Sequence, residues 1–209
     1  MAMPGLLSYG PLILGSLEGT EVDRLTEYYF DIETTGLDPK TDRIITIQWQ
    51  PLDRVTGDPM DDLTILKEWE STEESIVREF LRHFDREYTF DFVPVGENLL
   101  FDFSFLGRKV AEYGLGDTGP QYFCDRPHID IRPIEVMINR GFKGYDRVID
   151  AEGELAKVDI PRLYEEKKFG EIISYVRREA QVFVRAYGIL KREMPLLLDK
   201  LRVDKNQKE

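Results

Sequence analysis

The chain has 209 residues, of which 42% are hydrophobic and 33% charged, and it carries a formal net charge of −12. That length supports one sizeable core and is too short for two comfortable domains. The acidic balance argues against a broad electrostatic grip on nucleic acid, but it leaves room for a site that holds phosphates through bound metals and a few local cations.

Residues 1–26 read as an irregular lead-in with at most one short strand. Its apolar stretch from Leu6 to Leu17 is broken by Gly10 and Pro11 and lacks a basic leader, so neither a signal peptide nor a membrane span is expected. Tyr28 to Glu33 reads as the first strand. Arg43 to Leu52 reads as the second, with Ile45, Ile47 and Trp49 alternating with Thr46, Gln48 and Gln50. A turn from Asp53 to Asp61 leads to a third strand over Leu63 to Trp69, so 28–69 is expected to form an antiparallel meander. Ser71 and Glu74 have the spacing of a capping box, and helical periodicity follows from Ile76 to Phe84. Phe90 to Val95 reads as a fourth strand ended by Gly96, and Leu99 to Tyr113 as a helix that Asn98 can cap.

The middle is less regular. A short strand is expected within Gln121 to Ile131 and a helix from Pro133 to Asn139, followed by a Gly-rich, charged loop with a short helical piece over 141–169. Cys124 is the single cysteine, which excludes an internal disulfide, argues against a zinc–thiolate site and fits a cytoplasmic location. The last helix is expected from Glu171 to Leu190, with an apolar stripe of Ile172, Ile173, Val176, Ala180, Phe183 and Tyr187. The pattern implies one domain over 27–201, a mixed α/β sheet flanked by helices, and a charged tail over 202–209 that frays.

The chemistry concentrates in Phe30-Asp31-Ile32-Glu33-Thr34-Thr35-Gly36-Leu37. Residues two apart on a strand share a face, so Asp31 and Glu33 point the same way. Two like charges on a half-buried strand are costly, and a hard divalent cation is the usual compensation. A second signal is Val95-Gly96-Glu97-Asn98-Leu99-Leu100-Phe101-Asp102, which sets Asp102 on the first turn after a strand end. A third is Tyr175 and Glu179, four apart and therefore on one helix face. An all-oxygen set of Asp31, Glu33, Asp102 and Glu179 suits Mg²⁺ or Mn²⁺ and two-metal chemistry.

These three segments resemble the three motifs of the DEDD exonuclease superfamily in its tyrosine form, except that the family's third motif ends in Asp where Glu179 stands. Pro127-His128-Ile129-Asp130-Ile131 further resembles a segment of the proofreading domains of family B DNA polymerases and their stand-alone relatives. The resemblance spans about residues 28 to 190. It implies a ribonuclease H-like fold and 3′-to-5′ exonuclease activity. Asp31, Glu33, Asp102 and Glu179 are then the ligands of two divalent cations, Mg²⁺ or Mn²⁺, and together with Tyr175 they form the catalytic set. Thr34, Thr35, Leu37, Asn98 and Phe101 would bind the terminal nucleotide. DNA 3′ ends are the expected substrate, with RNA as the second enzyme reading and a catalytically weakened, partner-binding module as the third.

Bland readings exist for each signal. Asp31 and Glu33 could be solvated acids, Asn98 and Asp102 a cap and a dipole-favoured acid, and Tyr175 and Glu179 the flank of an amphipathic helix. His128 reads as structural, and Arg108, Lys109, Lys143, Arg147, Arg177 and Arg178 as solvated cations of which one or two meet phosphates. Because Glu is one methylene longer than Asp, Glu179 is expected to displace its carboxylate by about 1 Å and to lower or alter activity.

Overall fold

The structure, a computed structural model, describes residues 25–85, 89–116, 119–139 and 158–206. The expected lead-in up to residue 24, the loop over 140–157 with Lys143 and Arg147, and the last three residues lie outside the described residues. Five strands form the centre: β1 (Glu27–Thr34), β2 (Ile44–Leu52), β3 (Thr64–Lys67), β4 (Val93–Gly96) and β5 (Ile129–Asp130). Among the described residues six helices surround them: α1 (Glu73–Phe84), α2 (Leu99–Glu112), α3 (Pro120–Cys124), α4 (Arg132–Asn139), α5 (Ile160–Glu165) and α6 (Phe169–Asn206). The strand order is β3-β2-β1-β4-β5, with β1, β2 and β3 an antiparallel meander and β4 and β5 parallel to β1 and to each other. This is the mixed, helix-flanked sheet that the sequence implies. Among the described residues no helix is long and apolar enough to cross a membrane.

The alternation of β1 sorts its side chains into two cores. Tyr28, Phe30 and Ile32 face α1 and α2. Phe30 stacks on Phe80 at 5.0 Å between ring centroids, and Tyr28 lies flat on Phe92 at 4.2 Å. Glu27, Tyr29, Asp31 and Glu33 face α6. Tyr29 packs on Phe183 at 4.9 Å, and the Tyr187 hydroxyl donates to Glu27 Oε2 at 2.8 Å. Lys191 Nζ completes that anchor with 2.7 Å to Glu27 Oε1 and 2.9 Å to the Arg54 carbonyl.

Several local expectations shift. Thr72 rather than Ser71 caps α1, its hydroxyl accepting from the Ser75 N–H at 3.1 Å, so the predicted Ser71–Glu74 box is displaced by one residue. The displacement frees Glu73 to turn inward: its Oε1 accepts from the Ile44 N–H at 2.7 Å and its Oε2 from the Tyr113 hydroxyl at 2.7 Å. Lys109, read from sequence as a solvated cation, is 3% exposed and faces Glu73 Oε1 at 3.7 Å. A buried carboxylate draws a buried ammonium to it, which periodicity alone does not reveal. The predicted strand within 121–131 shrinks to β5, because Pro120 starts a helical turn instead. The predicted strand at Phe90 begins only at Val93, after a single 3₁₀ turn over Thr89–Asp91.

The final helix continues past Leu190 through Pro195 to Asn206, so the expected fraying tail is helical as far as it is described. Strong helix formers surround the proline, and a proline forgoes one backbone hydrogen bond without ending a helix that is otherwise supported. The same helix comes unusually close to the turn after β2: a Cβ on Gly57, whose φ is +78°, would approach Gly188 Cα to 3.1 Å. A side chain at Gly57 would therefore be strained twice, by conformation and by contact.

Glu73→Ala removes the acceptor of the Ile44 N–H and the Tyr113 hydroxyl and leaves the buried Lys109 ammonium with Glu112 alone, at 3.5 Å. The expected loss is about 2–3 kcal/mol of unfolding free energy, chiefly from the orphaned buried donors. Urea denaturation of wild type and variant measures it, and a loss under 1 kcal/mol would contradict this account of the α1–β2–α2 junction.

Candidate active site

The site forms where β4 stops and β1 runs on. β4 pairs with β1 from Glu27↔Val93 to Tyr29↔Val95, so beyond that point this edge of β1 lacks a strand partner. An unpaired, buried N–H on such an edge needs an acceptor. The Ile32 N–H finds one in Asp102 Oδ1 at 3.1 Å. Asp102 can reach because Gly96 lets the chain leave the sheet tightly; a Cβ there would lie 2.7 Å from the Phe30 carbonyl oxygen.

The start of α2 is held differently from the sequence expectation. Asn98 adopts a left-handed conformation with φ of +62° and gives no side-chain cap. Asp130 on β5 caps the helix from outside, its Oδ1 accepting from the Asn98 N–H at 2.9 Å and its Oδ2 from the Leu99 N–H at 3.0 Å. The same Oδ1 accepts from the Arg132 N–H at 3.0 Å, so one carboxylate starts both α2 and α4. The helix start that the Asn98 side chain was expected to cap is thus held by Asp130 instead. His128 in that segment is exposed, with Nδ1 2.8 Å from the Arg126 carbonyl and its ring edge-on to Phe103, consistent with its structural reading.

Asp31, Glu33 and Glu179 come together. Each is half-buried, and one carboxylate oxygen from each lies within 4.8 Å of the other two. Asp102 is not part of that trio among the described residues; it stands beside it on the edge of β1, and its charge acts on both Asp31 and Glu33. Asp31 is oriented by a chain of buried amide and hydroxyl groups on β2. Gln48, directly across the ladder, donates to Asp31 Oδ2 at 2.7 Å, and Thr46 donates to Gln48 Oε1 at 2.9 Å. Both Gln48 and Thr46 are fully buried. The sequence shows them as the polar half of an alternating strand, and the signal for their role is their register opposite the acids. A recess of about 60 Å³ beside the cluster is lined by Asp31, Glu179, Tyr29, Phe30, Phe183 and Glu97. Glu97 is thus a further acid at the site that motif spacing did not single out.

The electrostatics are those of charges that need company. Burial first, then the charges of Glu179, Asp102 and Glu33, raise the Asp31 carboxyl well above its ordinary 3.8, against the opposing pull of the Gln48 hydrogen bond. Burial, the Glu179 charge and a hydrogen bond shared with Glu179 raise Glu33 well above 4.5. Burial raises Asp102, partly offset by the Ile32 N–H. Burial and then the charges of Glu179, Glu33 and Asp31 push the Tyr175 phenol far above its usual value, so it keeps its proton and acts as a donor. The Tyr175 hydroxyl also hydrogen bonds to Glu179.

A divalent cation fits this donor set. All the ligand atoms are carboxylate oxygens, they converge within 4.8 Å, and Glu33 Oε1 is buried without a hydrogen-bond partner. Hard cations take such oxygens, and an orphaned buried carboxylate oxygen is otherwise expensive. The flanking residues behave less uniformly. The Thr34 hydroxyl donates to the Gly36 carbonyl at 2.6 Å, and the Thr35 hydroxyl accepts from the Arg43 N–H at 2.9 Å, so both fold the motif's turn. Leu37 is 84% exposed beyond it, and Phe101 is half-buried against Phe105.

Fold and site together define a ribonuclease H-like protein with a clustered acidic centre. A family model of the RNase H superfamily matches residues 28–166, and the chain belongs to that superfamily. Solved structures of exonuclease I share its fold. A product-bound exonuclease I matches with a TM-score of 0.56 at 12% identity, covering 85% of this chain and 46% of that one. A zinc-bound complex of E. coli exonuclease I with single-stranded DNA matches with a TM-score of 0.58 at 12% identity over 85% and 43% of the two chains. An inhibitor complex of exonuclease I matches with a TM-score of 0.55 over the same shares. The chain therefore spans less than half the length of these exonuclease I chains. Among curated protein sequences none matches it.

The raised carboxyls make a stability prediction with a definite sign. Their folded pKa values exceed the unfolded ones, so metal-free stability is greatest below about pH 4 for these groups and is lost as the pH rises through the raised values. In EDTA, Asp31→Asn should raise the melting temperature at pH 8 by about 2–4 °C for each kcal/mol of repulsion relieved. The gain should shrink as the pH falls toward 4, and excess Mn²⁺ should reverse the order by stabilising wild type more. Melting curves across that grid check it.

Proposed function

We propose that this chain is a metal-dependent 3′-to-5′ exonuclease that hydrolyses phosphodiester bonds at DNA ends. The observation that supports this best is the convergence of Asp31, Glu33 and Glu179 within 4.8 Å in the fold of the RNase H superfamily. In this reading Asp31, Glu33 and Glu179, with Asp102 beside them, hold two divalent cations, Mg²⁺ or Mn²⁺. What the cations contribute when bound is a lowered pKa for the attacking water and compensation of charge on the leaving 3′ oxygen.

The chain's own residues supply position. Gln48 fixes the Asp31 carboxylate by donating to Oδ2. Asp102 ties the open edge of β1 to α2, so the strand carrying the acids and the helix beside it cannot separate. Tyr175 keeps its phenolic proton and donates that hydrogen bond to Glu179, leaving its oxygen to accept from a water brought to that side of the cluster. Asn98 and the backbone near Thr34 and Thr35 receive the terminal nucleotide, with Leu37 and Phe101 as its apolar flanks. In this reading Tyr175 is the tyrosine of the third motif in the tyrosine form of the DEDD group, and the His128 segment resembles one in family B proofreading domains.

End-labelled DNA and RNA, each with Mg²⁺ and with Mn²⁺, test the reading. Shortening from the 3′ end is expected, with Asp31→Ala reducing the rate at least about 100-fold. Wild-type-like degradation by Asp31→Ala would sink the scheme, and shortening of RNA alone would move the substrate. No turnover by wild type with either metal would leave the partner-binding module.

Glu179 makes a sharper test. With glutamate at 179 a carboxylate oxygen already lies within 4.8 Å of those of Asp31 and Glu33, and removing a methylene draws it back by about 1 Å. Whereas the family pattern alone favours Asp, this convergence predicts that Glu179→Asp lowers both Mn²⁺ affinity by calorimetry and the rate of end shortening by about tenfold, a difference of about 1.4 kcal/mol. Equal or faster turnover would show that the shorter side chain reaches the cluster as well.

A further inference from the structure

A cleft of about 610 Å³ lies along the first turns of α6 and the turn that precedes it. Its lining includes Lys167, Lys168 and Arg178, with Phe169 and Tyr175 between them and Glu171 as the one acid. The chain as a whole has 40 acidic and 28 basic residues, so a lining with three cations to one acid runs against the bulk charge. The three cations are exposed, while Phe169 and Tyr175 are half-buried. Glu166 partly neutralises Lys168 at 2.8 Å. The turn that presents the two lysines is held by its backbone: the Lys167 N–H donates to the Tyr164 carbonyl at 3.0 Å and the Lys168 N–H to the Leu163 carbonyl at 2.8 Å.

Tyr175 joins this cleft to the acidic centre, because it lines the one and hydrogen bonds to Glu179 of the other. From Lys168 to Tyr175 the helix advances about 10 Å, longer than a single phosphate occupies. A positive groove interleaved with aromatic faces is the general solution for holding a single strand without reading its sequence. We propose that this cleft carries the single-stranded nucleic acid upstream of the acidic centre. Lys167, Lys168 and Arg178 contact successive backbone phosphates, and Phe169 and Tyr175 offer faces to the bases. The inference rests on the proposed nuclease reading and adds to it the path of the strand and the residues that hold it.

The test separates the two. Binding of a labelled dT oligonucleotide of about 12 nucleotides is measured by fluorescence anisotropy in an Asp31→Asn background with Mg²⁺, where turnover does not intrude. Three phosphate contacts give a slope of log affinity against log salt of about −2, and the Lys167→Gln/Arg178→Gln pair should reduce it to about −0.7. Arg192→Gln, on a separate groove of the same helix, is the charge control and should leave the slope in place. An rU oligonucleotide run in parallel should lose the same increment, since the contacts are to phosphate. An unchanged slope in the double variant overturns the proposal, and so does an equal fall in the Arg192 control. Shortening of end-labelled DNA by wild type is scored separately: its absence removes the nuclease reading, while the salt slope still decides the cleft.

Discussion

On β1 residues that share a face repeat about every 6.7 Å, and on α6 residues four apart repeat about every 6 Å. Those periods are close enough for one stripe of the helix to lie along one face of the strand. Tyr187 meets Glu27, Phe183 meets Tyr29, and Glu179 meets Asp31 and Glu33. The first two contacts are a buried hydrogen bond and an aromatic pair, and they set the register for the third. The acidic centre therefore depends on contacts some distance from it. Lys191, bonded to both Glu27 and the turn after β2, locks the far end of the same stripe.

The third contact opposes the first two. Three carboxylates with oxygens within 4.8 Å repel one another, and the buried Glu33 Oε1 has no donor to soften this. The fold holds them together through the bonds around them: Asp102 takes the orphan N–H of Ile32, Asp130 takes those of Asn98 and Leu99, and Gln48 donates to one oxygen of Asp31. Mutual repulsion of buried carboxylates, held in place by the rest of the fold, marks a place where a cation is to bind.

Much of this was legible because it is periodic. Alternation on β1 put Asp31 and Glu33 on one face, and the four-residue spacing put Tyr175 beside Glu179. The meander and the sheet class followed from strand patterns and turn residues. What was not legible depends on long-range partners. The sequence separation from Asp130 to Asn98 is 32, and that from Lys191 to Glu27 is 164. Nothing local distinguishes an Asp that caps a distant helix from one in a loop. Gln48 was visible as a polar strand residue, but its role required knowing that β2 lies against β1 in the register that sets it opposite Asp31. Lys109 reads as surface charge until α1 and α2 are placed against each other and Glu73 faces it.

Net charge misleads for a related reason. A chain with a net charge of −12 seems a poor nucleic-acid partner. Yet the potential that a strand meets is local: screening confines exposed charges to within about 10 Å at ordinary ionic strength. The acids at the centre draw cations to themselves, and three basic side chains line the cleft that begins at Tyr175. A strand entering there would leave a positive groove only where bound cations take over the same sign. Tyr175 stands at that boundary, protonated and uncharged, so no unfavourable charge interrupts the path. In the proposed function the phenol is therefore placed as much for what it does not carry as for the hydrogen bond it gives.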